Sequence, residues 1–340
     1  MLMSILAPIV VFGIIVLVHE GGHFAAAKLT GMRVDEFAIG FGPAIWSKKV
    51  GETLYSLRLI PLGGYNKIAG MEANEADMPR SFASKPVWAR LFVISAGSLM
   101  NILLAFCIFT GITYSLGVQS YPDRPIIGSV IAGSPAERAG LTAGDILLTI
   151  DGKPVENWMD ISENLKDKAS RIVPVTYERA GEIKEISLIP QESEGRTVVG
   201  IMAKMDSRPI SLGEAFVIGT ERSLFVTRAV CEGIVQMVTG AATEDISGPI
   251  GIARMAGNVA EIGFLQFLLF IGLISLNLGL LNLFPIPLLD GGLLVLTLCE
   301  AIIRRPLPER ALYYIQAIGI AILVGLFLLG TMNDMTRMMK

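Results

Sequence analysis

The sequence predicts a polytopic α-helical membrane protein of about four transmembrane helices, with a membrane-associated β-rich segment and one soluble α+β domain. Three observations predict this class. Hydrophobic residues make up 52% of the chain and charged residues only 17%, and the mean hydropathy of +0.58 lies above that of soluble globular proteins. Four charge-poor stretches are long enough for a bilayer, which needs about 20 apolar residues. A polar region of short alternating runs separates the second stretch from the third.

The four apolar stretches are residues 1–27, 91–122, 262–289 and 311–333. A cleaved signal peptide is the alternative reading of the first stretch. No lysine or arginine precedes it, however, and it runs into a polar cluster instead of a small-residue cleavage site. We therefore expect all four stretches to be retained transmembrane spans.

The distribution of basic residues predicts the orientation of these spans. The loop 28–90 and the last loop are rich in basic residues, whereas residues 1–18 have none. The basic residues of the two loops are Lys28, Arg33, Lys48, Lys49, Arg58, Lys67, Arg80, Lys85, Arg90, Arg304, Arg305 and Arg310. Loops with an excess of lysine and arginine face the cytoplasm. We expect both basic loops there, and the N-terminus, the segment 123–261 and the C-terminus outside, although Arg337 and Lys340 weakly oppose this.

The predicted organisation follows the spans. An N-terminal membrane half, 1–122, contains the first two transmembrane helices and, at about 31–70, strand-like alternation punctuated by glycines. A soluble domain covers 123–206, and an amphipathic linker helix region covers 207–261, with its helical pattern between 211 and 240. The C-terminal membrane half is 262–340. Non-helical backbone at membrane depth needs protein or a wet cavity beside it, so we expect a cavity near the β-rich segment.

The soluble domain carries local signals of its own. A Ser-Pro-Ala-Glu capping pattern lies at Ser134 to Glu137, and Asp151-Gly152 predicts a tight turn. The run SPAERAGLTAGDILLTIDGKPV, which begins at Ser134, resembles bacterial PDZ domains. That resemblance implies binding of peptide termini, added as a strand to an exposed edge. A spacer domain without a ligand is the alternative.

The motif His-Glu-Gly-Gly-His occupies positions 19–23 and contains both histidines of the chain. Residues four apart share one helix face, so His19 and His23 can reach one metal ion, with Glu20 near enough to act on a metal-bound water. Zinc suits two imidazoles and lowers the pKa of a bound water to about 7. The alternative is a pair of hydrogen-bonded histidines that pack the helix. Gly21 and Gly22 weaken the helix but allow close packing.

Catalytic zinc needs a third protein ligand, and no histidine remains to supply it. Asp290 is the only charged residue between Ile262 and Cys299, and a carboxylate at membrane depth is rarely without a partner. A metal ion bound by Asp290 and by the histidines of the first span would compensate the burial of both carboxylates, Glu20 and Asp290. A cap on a helix that begins at Gly291 is the alternative, and both roles can coexist.

The stretch before Asp290 predicts a broken helix beside a cavity. Pro285 and Pro287 each remove a backbone donor, and the freed groups need partners at membrane depth. Asn277 and Asn282 could provide them, and so could an extended strand of substrate. If the substrate is a transmembrane helix, it must unwind before cleavage, and we expect these four residues to hold the unwound form.

These motifs together resemble the site-2 proteases of the bacterial regulator-of-sigma-E type, which are intramembrane zinc metalloproteases. The similarity spans nearly the whole chain: HEGGH at 19–23, FAIGFGP at 37–43, PLGGY at 61–65, GSLMN at 97–101, the PDZ domain, GPIGI at 248–252 and NLFPIPLLDGG at 282–292.

The resemblance implies zinc ligands at His19, His23 and Asp290, the catalytic glutamate at Glu20, and substrate-handling asparagines at Asn277 and Asn282. It also implies regulated intramembrane proteolysis of single-pass proteins in the bacterial cell membrane, with anti-sigma factors or remnant signal peptides as substrates and the PDZ domain on the extracytoplasmic side.

The chain departs from the family pattern in three places. It has one PDZ domain where some relatives have two, Leu293 where many have histidine, and Asn66 where valine is usual. Two other classes of function fit the residues less well. A scaffold without catalysis has no need of Glu20, and a metal transporter would want more ionisable residues across the bilayer. The net charge of −3 gives no signature of nucleic-acid binding, and the three dispersed cysteines predict neither a disulfide framework nor a metal site.

Overall fold

The computed structural model describes residues 2–71, 80–121, 124–193, 196–238, 248–305 and 307–339. The chain forms two compact units. One comprises Met1–Ile112 and Gly213–Lys340, and the other is Thr113–Leu212. The domain boundary predicted between residues 122 and 123 lies outside the described residues.

The elements follow one another along the chain as a mixture of long helices and short strands. In order they are α1 Leu2–Leu29, β1 Val34–Val50, β2 Thr53–Ile68, α2 Val87–Leu116, β3 Val118–Ser120, β4 Ile127–Val130, α3 Pro135–Arg138, β5 Ile146–Ile150, β6 Lys153–Pro154, α4 Trp158–Leu165, β7 Val173–Arg179, β8 Glu182–Leu188, β9 Gln191–Ser193, β10 Arg196–Val198, β11 Ile201–Ala203, β12 Asp206–Arg208, α5 Leu212–Val238, α6 Pro249–Ile262, α7 Phe264–Leu283, α8 Asp290–Ile303 and α9 Glu309–Met339.

Four of the described helices are long and apolar enough to cross a membrane. They contain the spans Met3–Leu29, Val87–Leu116, Phe264–Leu283 and Arg310–Arg337, close to the four predicted stretches. The second helix is shorter than its charge-free stretch because Gly117 adopts a φ of 72°, a left-handed conformation that ends helices. The third ends at Leu283, since Phe284 is extended before Pro285.

The first unit holds its transmembrane helices together with apolar side chains. Val11 and Ile15 of α1 are fully buried and share one cluster with Phe109 of α2 and Leu276 of α7. A few polar side chains are buried among these apolar helices: His19, Ser98, Asn101, Ser275. Such groups are costly to bury without partners, so they mark where a site should be sought.

Two long antiparallel strands occupy the segment where the sequence predicts strands. β1 pairs with β2 from Val34↔Ile68 to Val50↔Thr53, with several register shifts along the way. Inside the hairpin, Arg58 Nη2 lies 2.6 Å from Glu36 Oε1. β2 runs beside α1, and Gly64 lies at the contact: a Cβ there would lie 2.7 Å from Ala38 O of β1 and 3.1 Å from Cγ of Glu20.

The described part of the second unit is built around an antiparallel sheet in the order β6-β5-β7-β8. The predicted turn at Asp151-Gly152 joins β5 to β6, with φ of 53° and 72°, as the favoured two-residue hairpin turn requires. The predicted cap is also confirmed, since Ser134 Oγ accepts from Glu137 N at 3.2 Å. Burial alone would raise the pKa of Asp145, but hydrogen bonds from Arg179 and Thr142 hold it below its usual range.

The remaining helices of the first unit include the predicted amphipathic segment. α5 covers most of the predicted range 211–240, whose last two residues, 239–240, lie outside the described residues. Helix α6 is capped from a distant part of the chain. Asp334 of α9 accepts hydrogen bonds from Gly248 N at 3.0 Å and Gly251 N at 2.8 Å, which places a carboxylate at the positive end of the helix.

Candidate active site

The site begins where α1 and α2 approach closely. His19 and His23 lie on one face of α1, and glycines on both helices permit the contact. A Cβ on Gly22 would lie 2.5 Å from Ala96 O, and a Cβ on Gly97 would collide with the His23 imidazole. The predicted close packing is therefore found at Gly22, whereas a Cβ on Gly21 would meet nothing within 4 Å.

Three side chains bring their donor atoms together at this contact. Nε2 of His19 lies 3.2 Å from Nε2 of His23, and each Nε2 lies 3.5 Å from Oδ2 of Asp290. Ligands about 2.0–2.1 Å from one tetrahedral zinc ion would be about 3.4 Å apart. The spacing of two nitrogens and one carboxylate oxygen thus fits a single zinc ion with a fourth position open. Among the described residues, these three form the one group of histidine, cysteine or carboxylate side chains close enough together to hold a metal ion.

Neighbouring groups of α2 orient these side chains. Because a carbonyl can only accept, His23 Nδ1 donates to Val93 O at 2.8 Å, and this leaves Nε2 of the neutral ring with its lone pair toward the cluster. Ser98 Oγ donates to Asp290 Oδ2 at 2.8 Å. Outer hydrogen bonds of this kind fix the tautomer of a histidine and the orientation of a carboxylate at metal sites.

A cavity of about 280 Å³ opens onto the cluster. Its lining combines the polar motif with apolar side chains of several elements: His19, Glu20, His23, Tyr65, Asn66, Ile68, Met71, Ile94, Asn282, Leu288, Leu289, Asp290. Glu20 faces it beside His19, and its carboxylate Oε2 accepts from Nδ2 of Asn66 at 2.7 Å. The lining is polar around the donor cluster and apolar elsewhere, as expected for a reaction site within a membrane protein.

The predicted substrate-binding residues divide into two groups. Asn282 lines the cavity, and its Nδ2 lies 3.5 Å from His19 Nε2. Asn277, Pro285 and Pro287 are described but are not among the lining residues. The prolines lie between α7 and α8, where they keep the two helices apart.

The alternative role of Asp290 as a helix cap is wrong. Helix α8 begins at Asp290 itself, its N-cap is Leu289, and that cap makes no side-chain hydrogen bond. Asp290 therefore does not cap α8, and its side chain faces the two histidines. Leu293, which departs from the usual histidine, packs against the apolar cluster that contains Met32 and Val34.

Sequence reasoning missed two residues of the site. Ser98 belongs to the motif GSLMN, which was assigned no role, and its contact with Asp290 joins α2 to α8. Asn66 was noted only as a departure from valine, with no account of it. Ser98 lies in a motif shared with the family and Asn66 is a departure from the family pattern, but their hydrogen-bond partners are far away in the sequence.

Comparisons with known proteins bear on the whole chain. The family model described as peptidase family M50 matches residues 7–326. The regulator of sigma-W protease RasP of Bacillus subtilis is 29% identical over 418 residues, covering 98% of this chain and 99% of that protein. The zinc metalloprotease RasP of Geobacillus kaustophilus is 30% identical, with 98% of each chain covered.

One further relative is similar over nearly the whole chain, and one solved structure is similar over a part of it. A Clostridium acetobutylicum protein provisionally named a zinc metalloprotease is 36% identical over 334 residues, with 97% of each chain covered. Among solved structures, the PDZ domain of an SdrC-like protein from Listeria monocytogenes is similar at a TM-score of 0.23 and 21% identity, covering 26% of this chain and 94% of that domain.

Proposed function

The chain belongs to peptidase family M50, the site-2 proteases, and from that premise we propose that it cleaves the transmembrane segments of single-pass proteins within the bilayer. It is a zinc metalloprotease of a bacterial membrane that takes part in regulated intramembrane proteolysis. The proposed substrates are of the anti-sigma-factor or remnant-signal-peptide type. The observation that carries the proposal is the cluster of two imidazoles and a carboxylate beside Glu20, on a cavity among apolar helices.

The proposed zinc ligands are His19, His23 and Asp290. Their support is the spacing of the donor atoms, 3.2 to 3.5 Å, together with the hydrogen bonds that orient His23 and Asp290. When bound, zinc polarises a peptide carbonyl and makes water a better nucleophile at neutral pH. The three side chains come from two distant segments, so a zinc ion bound by them would link α1 to α8.

Glu20 is the proposed general base. It follows the first ligand directly, faces the same cavity and has its carboxylate held by Asn66. Glu20 takes the proton of the attacking water and returns a proton to the amide nitrogen that leaves. Its place beside the donor cluster supports this assignment, because a base must lie within hydrogen-bond reach of the proton that it removes.

The proposed substrate-binding segment includes Asn277, Asn282, Pro285 and Pro287. Peptide bonds inside a helix are shielded by their own hydrogen bonds, so an unwound substrate needs polar partners at the site. Asn282 supplies an amide at the cavity, and the non-helical stretch after α7 brings Leu288, with a φ of 77°, and Leu289 to its wall. Asn277, Pro285 and Pro287 would act at the approach to the cavity.

The experiment that tests this function uses purified protein reconstituted with a single-pass substrate already shortened outside the membrane. Mass spectrometry of the products should find new termini inside the apolar segment. Removal of zinc by a chelator should stop the reaction, and added zinc should restore it. Cuts confined to the polar flanks of the substrate would contradict intramembrane cleavage.

The soluble domain at 123–206 is proposed to be a PDZ domain that receives peptide termini on the extracytoplasmic side. The proposal is supported by the run that begins at Ser134, by the antiparallel sheet with its capped helices, and by the basic residues of loop 28–90, which favour the cytoplasm for the opposite side. A protease added outside intact spheroplasts tests on which side of the membrane this domain lies. It should cleave the domain if the domain is extracytoplasmic.

Deletion of residues 126–203 should change the choice of substrate and leave zinc binding intact. The proposed ligands and Glu20 all belong to the other compact unit, so the chemistry does not depend on the deleted residues. We expect untrimmed substrates to be cleaved at a rate closer to that of trimmed ones. Competition between both substrates in one vesicle preparation measures this ratio, and an unchanged ratio would identify the domain as a spacer.

A further inference from the structure

Asn66 of strand β2 makes two hydrogen bonds to one residue of helix α1. Its Nδ2 lies 2.7 Å from Glu20 Oε2 and 2.8 Å from the backbone oxygen of Glu20. An amide nitrogen carries two hydrogens, so it can donate to both oxygens at once. The geometry arises because alternate strand residues share a face: Gly64 lets β2 approach Glu20, and Asn66 follows two positions later.

The orientation of this amide is determined by its partners. Both oxygens of Glu20 can only accept while its carboxylate is ionised, so the nitrogen of Asn66 must face them. The Oδ1 of Asn66 is then buried, with no hydrogen-bond partner in the part of the chain that the structure describes. An unpaired buried acceptor costs stability, and the two bonds that Nδ2 donates to Glu20 are what asparagine gains over an aliphatic residue here. Packing alone therefore does not account for asparagine here.

We infer that Asn66 is a positioning residue for the general base Glu20, an inference that rests on the proposed protease function. A glutamate side chain rotates about three bonds, and one bonded oxygen restricts that rotation. With Oε2 held by Asn66, the other oxygen, Oε1, is left to accept the proton from the attacking water. The second bond, to the backbone of Glu20, fixes the amide itself relative to α1.

A purely structural role would consist of fastening the hairpin to α1, and the chain offers a matched control for it. Lys28 of α1 forms an ion pair with Glu52, in the turn between β1 and β2, at 2.7 Å. Lys28→Met removes this link between the same two elements, at a point that does not line the cavity. It therefore reports what a looser hairpin does to the enzyme without altering Glu20.

The test compares Asn66→Leu and Asn66→Val with Lys28→Met in reconstituted enzyme. Leucine matches asparagine in size, and valine is favoured in β-strands, so at least one of the two variants should fold. We expect both Asn66 variants to lower kcat about 10- to 100-fold, because a small displacement of a catalytic group has effects of that order. KM, zinc content and Tm should stay close to those of Lys28→Met, which should keep the wild-type kcat.

A double-variant cycle completes the test. Once Glu20→Gln has removed the base, Asn66→Leu should have no further effect on residual cleavage, whereas an independent structural defect would lower it again. A kcat within twofold of wild type in both Asn66 variants would overturn the inference, as would a loss of kcat matched by Lys28→Met. Wild-type cleavage by Glu20→Gln would instead refute the base itself, so the two failures are distinguishable.

Discussion

Replacement of Glu20 by glutamine should leave only a small residual rate of cleavage and leave zinc bound. Glutamine keeps the length and shape of the side chain but cannot take a proton from water. The three proposed ligands are unchanged, so the metal should remain. General acid–base catalysis is typically worth about 10²–10⁴-fold in rate, and we expect the loss to reach at least that range because no other carboxylate besides Asp290 lines the cavity among the described residues.

The measurement combines a cleavage rate with the zinc content of the same preparation. Glu300→Gln is the matched control, since Glu300 is a partly buried carboxylate of α8 that pairs with Arg90 at 3.4 Å and does not line the cavity. This control should cleave at the wild-type rate. A transmembrane substrate should also accumulate on Glu20→Gln, where a cross-linker placed near Asn282 would capture it. Wild-type cleavage by Glu20→Gln would rule out the proposed base.

The sequence was most informative where chemistry and hydropathy conflict. Two histidines four residues apart, in a stretch whose only carboxylate is Glu20, predicted a shared helix face, and the structure brings their Nε2 atoms within 3.2 Å of each other. Asp290 was conspicuous for the same reason, as the single charge of an apolar segment. Burial of a charged or polar group needs compensation, so each such residue pointed to a partner even before its position was known.

Local sequence signals predicted some ends of helices and strands correctly and others incorrectly. The turn at Asp151-Gly152 and the cap at Ser134 depend on adjacent residues, and both were predicted correctly. The end of α2 was not, because the stretch without charge continues to residue 122 while a single glycine, Gly117, ends the helix. Helix α8 was expected to begin one residue later than it does, which made Asp290 a possible cap.

Contacts between distant segments could not be predicted from patterns. Asn66 is 46 positions from Glu20, and Ser98 is 192 positions from Asp290. Such contacts depend on how β2 and α2 pack against their neighbours, and neither periodicity nor composition encodes that packing. The structure supplies a physical account of the departure at Asn66, which the sequence showed only as an anomaly.

Replacement of Asp290 by alanine should remove zinc from the protein without unfolding helix α8. The helix begins at Asp290, but its N-cap is Leu289 and no side-chain bond of Asp290 caps it, so the substitution deletes no helix cap. What it deletes is the oxygen that lies 3.5 Å from both histidine Nε2 atoms. Two imidazoles alone leave zinc short of the three protein ligands that catalytic sites use.

The expected loss of zinc affinity exceeds that of an outer-shell substitution, which typically weakens binding about 10- to 100-fold. Metal analysis of dialysed protein, combined with competition against a chelator of known affinity, measures it. Glu300→Ala removes a carboxylate from the same helix and should retain zinc, while circular dichroism should give the same helix content for both variants. Stoichiometric zinc of undiminished affinity in Asp290→Ala would exclude this carboxylate as a ligand, and Glu20, the other carboxylate on the described wall of the cavity, would be the next one to replace.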